Sequence, residues 1–205
     1  GSKWSQTYRG PSPASEPETQ AMMNFVSQIK PVFNISYHSY SELVLYPFGC
    51  RPQRTPVDEA VETIGKEIAS KLDYKAGTPW ELLYNADGGD IDWMYAEHQV
   101  IPYVIELNSL RDGGFHPDYD KVRDVTVEKN RKGWMHILDR LHGASLQGYI
   151  RDTSFTEIEI ARFDDQKILQ NYKINEDGSF YIILNPGKFN VTFKDGTHKR
   201  KFTGM

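Results

Sequence analysis

The chain has 205 residues, with 24 Lys+Arg against 28 Asp+Glu and a formal net charge of −4, which excludes the basic footprint of a nucleic-acid-binding protein. Hydrophobic residues at 39% and aromatics at 13% are enough for a buried core and exclude global disorder. The single cysteine, Cys50, excludes an internal disulfide framework and multi-cysteine metal or cluster sites, and no apolar run approaches the roughly 20 residues of a membrane span.

In chain order, residues 1–14 are rich in Gly, Pro and Ser and read as loop. Ser15 and Glu18 have capping-box spacing and Pro17 suits a first helical turn. Met22, Phe25, Val26 and Ile29 then predict a buried helical stripe. Val32 to Tyr37 reads as a strand ending at His38, and Leu43 to Tyr46 as a second β stretch. Thr55, Pro56, Asp58 and Glu59 signal the start of a helix whose apolar face is Val61, Ile64, Ile68 and Leu72. A Gly-rich loop, Ala86 to Asp90, precedes Ile91-Asp92-Trp93. Val100 to Leu107 is nearly all apolar, as in a strand buried on both faces. A helix from Tyr119 to His142 follows, with Trp134, Ile137, Leu138 and Leu141 as its apolar face and Gly143 as its stop.

From Ala144 the hydrophobic period becomes two. Ile158/Ile160, Phe180/Ile182/Leu184 and Phe189/Val191/Phe193 alternate, and Asp177-Gly178, Pro186-Gly187 and Asp195-Gly196 supply turns. The expected fold is α/β: part of a mixed, mostly parallel sheet flanked by helices over 1–143, then a small antiparallel β-sandwich over 144–205.

In open α/β sheets, ligands collect beyond the carboxyl ends of the strands. His38 and Glu106 both stand late in predicted strands. From position alone His38 reads as a core or rim histidine. Glu106 is harder to dismiss, because a carboxylate in an apolar strand costs several kcal/mol unless paired or functional. Tyr84, before the Gly-rich loop, is by itself an ordinary aromatic.

Together these segments form an ordered series. Tyr8-Arg9-Gly10-Pro11 with Ser15 to Thr19, His38-Ser39-Tyr40-Ser41 with Leu45 to Gly49, Tyr84, Gly88 to Tyr95, and Ile105-Glu106-Leu107 follow one another. The series resembles the C-terminal half of the catalytic domain of zinc metallocarboxypeptidases of the carboxypeptidase A/B/T type. The Asp92-Trp93-Met94-Tyr95 segment and Gly114-Phe115-His116-Pro117 are most similar to the bacterial carboxypeptidase T-like branch. Gly148 to Asp152, Asp177 to Phe180 and Pro186 to Val191 resemble the transthyretin-like module that follows some carboxypeptidase domains.

The resemblance implies a zinc-dependent hydrolase that releases single residues from peptide or protein C-termini, and an extracytoplasmic location. It implies that His38 is the last of three zinc ligands and that Glu106 is the general base acting on zinc-bound water. By the same resemblance Ser39 and Tyr40 are substrate contacts and Tyr84 closes over the terminal carboxylate. Ile91 forms the floor of the specificity pocket and favours an apolar C-terminal residue. Asp90, its neighbour, would suit a basic residue or the diaminopimelate of a peptidoglycan stem peptide.

The family takes its other two zinc ligands from an upstream His-x-x-Glu motif. Only 37 residues precede His38, none of them histidine. His136-Ile137-Leu138-Asp139 lies downstream and reads as a solvated helix face. The expectation is that the two remaining ligands, and the N-terminal half of the catalytic domain, lie outside this chain, which alone is inactive. The alternatives are one chain of a split or nicked enzyme and a non-catalytic binding module.

Overall fold

In a computed structural model, which describes residues 3–4, 8, 10–55, 60–152, 154–196 and 199–203, a four-stranded mixed sheet organises the first two thirds of the chain. Its strands are β1 (Phe33–Ser39), β2 (Leu43–Leu45), β3 (Lys75–Gly77) and β4 (Ile101–Leu107), in the order β1-β4-β2-β3. β1 pairs parallel with β4, β4 antiparallel with β2, and β2 parallel with β3. The helices are α1 (Pro17–Ile29), α2 (Ala60–Leu72), the single turn α3 (Pro79–Leu82), α4 (Asp90–His98) and α5 (Tyr119–Leu141).

β4 is the inner strand, buried from Ile101 to Glu106, as its unbroken apolar run requires. Ile105 and Tyr103 face α2 in one core, with Val44, Ile64, Ile68 and Leu72. The predicted α2 stripe is fully buried. Gly65 lets α2 approach this closely, because a Cβ there would meet the Tyr46 ring at 2.7 Å. Tyr103 keeps its buried hydroxyl satisfied by donating to the Val61 carbonyl at 2.7 Å.

Several expectations are corrected. In α1 only Val26 is buried, against Met94 and Val100, whereas Met22, Phe25 and Ile29 are about half exposed. That helix touches the described protein along one line, too narrow to cover a full stripe. Its N-cap is Glu16, with no side-chain cap bond, and Ser15 lies one residue before it, its Oγ donating to the Glu16 carboxylate at 2.9 Å. On α5, Ile137 is buried but Trp134 and Leu138 are exposed. His136 is not solvated: its Nε2 lies 2.8 Å from Glu67 Oε2, so it joins α5 to α2. Asp90 begins α4 rather than ending a loop, accepting the Ile91 N–H at 2.9 Å. Arg9, Pro56, Asp58 and Glu59, read above as motif and helix-start residues, lie outside the described residues.

The remaining strands are β5 (Ser145–Tyr149), β6 (Glu157–Arg162), β7 (Ile168–Lys173), β8 (Ser179–Ile183), β9 (Phe189–Lys194) and β10 (Lys199–Thr203). They form antiparallel sheets in the orders β10-β9-β6-β7 and β5-β8. Ile158, Ile160, Leu169 and Val191 fill a second core. β8 serves both cores, because side chains alternate along a strand. Phe180 and Ile182 face the second core, while Tyr181 and Ile183 face the first. Tyr181 Oη donates to the Leu141 carbonyl, and Arg140 Nη2 donates to the Leu184 carbonyl at 3.1 Å. Among the described residues no helix is long and apolar enough to cross a membrane.

Ile64→Ala is expected to lower unfolding free energy by about 2–5 kcal/mol in urea titration, because it empties a fully buried site. Leu110→Ala, at an exposed position, is expected to change it by less than about 0.5 kcal/mol.

Candidate active site

β1 and β4 run parallel and in register, so His38 stands beside Glu106 near their carboxyl ends. Paired residues on neighbouring strands project to the same face, and residues two apart along a strand share it. One face therefore carries His38 and Ser36 from β1, Glu106 and Val104 from β4, and Leu43 and Leu45 from β2. Ile91 of α4 packs onto this face with Leu43, Leu45 and Val104. An apolar floor thus lies on the same side of the sheet as the carboxylate.

His38 Nδ1 lies 4.0 Å from Glu106 Oε1, too long for a direct hydrogen bond. The His38 Nε2 sits 3.3 Å from Ser36 Oγ. The two side chains differ sharply in solvation, at 54% exposure for His38 and 12% for Glu106. Burial pushes the Glu106 carboxyl above its ordinary pKa of 4.5, and the neighbouring His38 opposes that shift.

β1 and β2 are not neighbours, so the three residues 40–42 must carry the chain across the end of β4. Ser39, the last residue before this crossing, pairs with Leu107 and so projects to the face opposite His38 and Glu106. The Ser39–Tyr40 peptide bond is cis. Tyr40 packs edge-to-face against Phe115, with ring centroids 4.8 Å apart, and a Cβ at Gly114 would meet the Tyr40 ring at 3.2 Å. Phe115 belongs to the Gly114–Pro117 segment quoted above for its resemblance, but sequence reading does not single it out there as a candidate site residue.

Asp92 has a positioning role not anticipated from sequence. Its carboxylate accepts the N–H of Gly49 at 2.8 Å and of Cys50 at 2.9 Å, tying the loop after β2 to α4. Hydrogen bonding to Asp92 and burial raise the Cys50 thiol. Tyr84 stands in the connection between α3 and α4 and is exposed, as is Asp90. His38, Glu106 and Ile91 are thus gathered at one sheet face, whereas Ser39 projects to the opposite face, Tyr40 packs against Phe115 beyond the strand ends, and Tyr84 and Asp90 belong to the solvent-facing segment leading into α4.

A catalytic zinc site takes three protein ligands and an open position. Among the described residues there is no group of three His, Cys, Asp or Glu side chains able to hold a metal ion. His38 offers one imidazole, so the described residues do not by themselves fit a complete zinc centre.

The zinc carboxypeptidase (peptidase M14) family matches residues 2–131. The chain belongs to that family. It is 34% identical to mouse carboxypeptidase A1 over 120 residues, covering 54% of this chain and 28% of that protein. To a zinc carboxypeptidase of Simulium vittatum it is 34% identical over 156 residues, covering 65% of this chain and 51% of the relative. Bovine thrombin-activatable fibrinolysis inhibitor, solved in complex with tick carboxypeptidase inhibitor, superposes with a TM-score of 0.60 at 28% identity. That match covers 66% of this chain and 48% of the solved one. The chain therefore spans about half or less of the length of these relatives.

A raised carboxyl pKa is a folding penalty with a definite pH window. Below pH 4.5 Glu106 is protonated whether the chain is folded or unfolded, and no penalty arises. As pH rises through 4.5 toward the raised folded value, the unfolded chain ionises first and stability falls. Glu106→Gln is expected to be more stable than the parent at pH 7 and to lose that advantage at pH 4, by urea titration at both values. An equal difference at both would contradict this ionisation penalty.

Proposed function

We propose that this chain supplies the His38–Glu106 part of a zinc carboxypeptidase centre that hydrolyses the last peptide bond of a peptide or protein. The observation that carries the reading is a buried carboxylate with a raised pKa, 4.0 Å from an exposed imidazole, above an apolar floor on the same sheet face. Glu106 is the general base. Its carboxylate takes a proton from water as the water oxygen bonds to the scissile carbonyl carbon. It then passes that proton to the leaving amine as the C–N bond breaks. The raised pKa brings the carboxyl closer to the range in which such a proton can be both taken and returned at neutral pH.

Zinc, the family's metal, would take His38 as one ligand, and the other two come from protein outside these 205 residues. The exposed edge of the sheet supports this. β1 lies at the end of the strand order, and an open apolar groove of about 460 Å³ runs between it and α5, lined by Phe33, Ile35, Trp134 and Leu138. Edge strands and apolar faces of this kind are normally covered.

Ser39 and Tyr40 are substrate contacts, and Tyr84 closes over the terminal carboxylate from its exposed loop. Ile91, buried with Leu43, Leu45 and Val104, favours an apolar C-terminal residue. Asp90 would serve the peptidoglycan-stem alternative, but its Oδ1 already accepts the Ile91 N–H, which weighs toward the apolar reading. Residues 1–143 form the carboxypeptidase T-like portion and 144–205 a transthyretin-like β module. A second reading, a non-catalytic binding module, draws on the single imidazole ligand.

The test uses the protein that carries this chain together with the segment supplying the remaining ligands. Glu106→Gln is expected to lower kcat/KM on a peptide with a C-terminal Phe by about 10²–10⁴-fold, with zinc content unchanged by atomic absorption. His38→Ala is expected to lose zinc as well as turnover. Full turnover by Glu106→Gln would overturn the assignment. Absence of stoichiometric zinc and of C-terminal residue release in the parent protein would favour the binding module.

A further inference from the structure

A carboxylate in the first turn of α4 holds the loop after β2. Asp92 accepts the Gly49 N–H on Oδ1 at 2.8 Å and the Cys50 N–H on Oδ2 at 2.9 Å. Both oxygens are therefore committed to consecutive amides of one loop. The Cys50 N–H belongs to the same planar peptide unit as the Gly49 carbonyl. That carbonyl accepts the Ala86 N–H at 2.9 Å. A line of hydrogen bonds thus runs from Asp92, through one peptide, to Ala86. Bonds in such a line polarise one another, so a carboxylate at the N–H end makes the carbonyl a stronger acceptor.

Gly49 leaves room for this junction. A Cβ there would meet Pro79 Cγ, at the start of α3, at 2.9 Å and the Ala86 Cβ at 3.5 Å.

Ala86 is one end of a short span. At the other end, Leu83 donates its N–H to the Pro79 carbonyl at 2.8 Å and closes α3. Only Tyr84 and Asn85 lie between these two fixed amides. Tyr84, with its exposed side chain, therefore stands on a two-residue arch rather than on a long loop. Where it stands depends on both feet of the arch, and the Ala86 foot rests on the Gly49 carbonyl. The residue before Asp92 is Ile91, packed on Leu43, Leu45 and Val104. The same helical turn thus carries the apolar floor and the anchor of the tyrosine.

We propose that Asp92 is a positioning residue that sets the offset between Tyr84 and the Ile91 floor through the Gly49–Cys50 peptide. The proposal rests on the function read above, in which these two side chains hold the substrate's C-terminal residue. Asp92 acts through Tyr84, so substrate binding depends on it and the bond-breaking step at Glu106 does not.

Amide hydrogen exchange on the 205-residue chain tests the relay without substrate. In the parent, Gly49, Cys50 and Ala86 are expected to be protected together. Asp92→Asn turns an N–H₂ group toward one of the two loop amides. It is expected to speed exchange at Ala86 by at least about five-fold, although Ala86 bonds to Gly49 and not to residue 92. Phe48, edge-to-face on Tyr95 with centroids 5.4 Å apart, keeps the loop on α4 in that variant. Faster exchange at Gly49 and Cys50 with Ala86 unchanged would overturn the proposal. So would an unprotected Ala86 in the parent, a result that needs no variant.

The kinetic arm uses the protein that carries this chain with the segment supplying the remaining zinc ligands. Asp92→Asn is expected to raise KM for a peptide ending in Phe by about ten-fold while changing kcat by less than about two-fold. In a Tyr84→Ala background the rise is expected to shrink below about three-fold, because residues acting through one contact are not additive. An undiminished rise in that background, or a loss confined to kcat, would overturn the proposal. Absence of turnover in the parent would overturn the hydrolase reading instead, and exchange at Ala86 then decides the anchor alone.

Discussion

Everything at the candidate site depends on one constraint: a carboxylate held on the buried central strand. β4 lies between β1 and β2 and is covered from Ile101 to Glu106. A charge placed there is costly unless something offsets it, and among the described residues no lysine or arginine is paired with Glu106; its nearest titratable neighbour is His38, at 4.0 Å. The fold tolerates the arrangement because Glu106 is the last buried residue of the strand, at its carboxyl end, with its side chain still 12% exposed. One position earlier, Ile105 is sealed in the core against α2. Alternation along β4 thus separates a structural face, carrying Tyr103 and Ile105, from a chemical face, carrying Val104 and Glu106.

That separation explains what was legible in the sequence. Long, strongly patterned segments declared themselves: the α2 stripe, the β4 run and the alternation of β6, β8 and β9 each follow from local residue order. His38 and Glu106 could be singled out for the same reason, since a polar residue stands out against an apolar strand. Their adjacency could not be read locally, because it depends on β1 pairing with a strand more than 60 residues away. The β1–β4 register, not either segment alone, makes them a pair.

The misreadings share a different cause. Met22, Phe25, Ile29, Trp134 and Leu138 were expected to be buried by periodicity, and all five are substantially exposed. Periodicity reports which face of a helix is apolar; it does not report whether anything covers that face. The short elements failed for want of length. β3 has three residues and α3 four, too few for a period to emerge, and α3 depends instead on Thr78 and Glu81 bonding each other and the helix start. His136 was misjudged because its partner, Glu67, lies on a different helix.

β8 links the two halves of the problem. Its alternation gives Ile182 to the second core and Ile183 to the first, so the strand cannot slip by one residue without exchanging both sets. Tyr181 and the Arg140 bond to Leu184 hold it against the end of α5. A strand committed on both faces joins the two cores directly. Gln99 fastens the end of α4 to β7 from the other side, donating to the Asn171 carbonyl at 2.7 Å and accepting the Lys173 N–H at 2.7 Å.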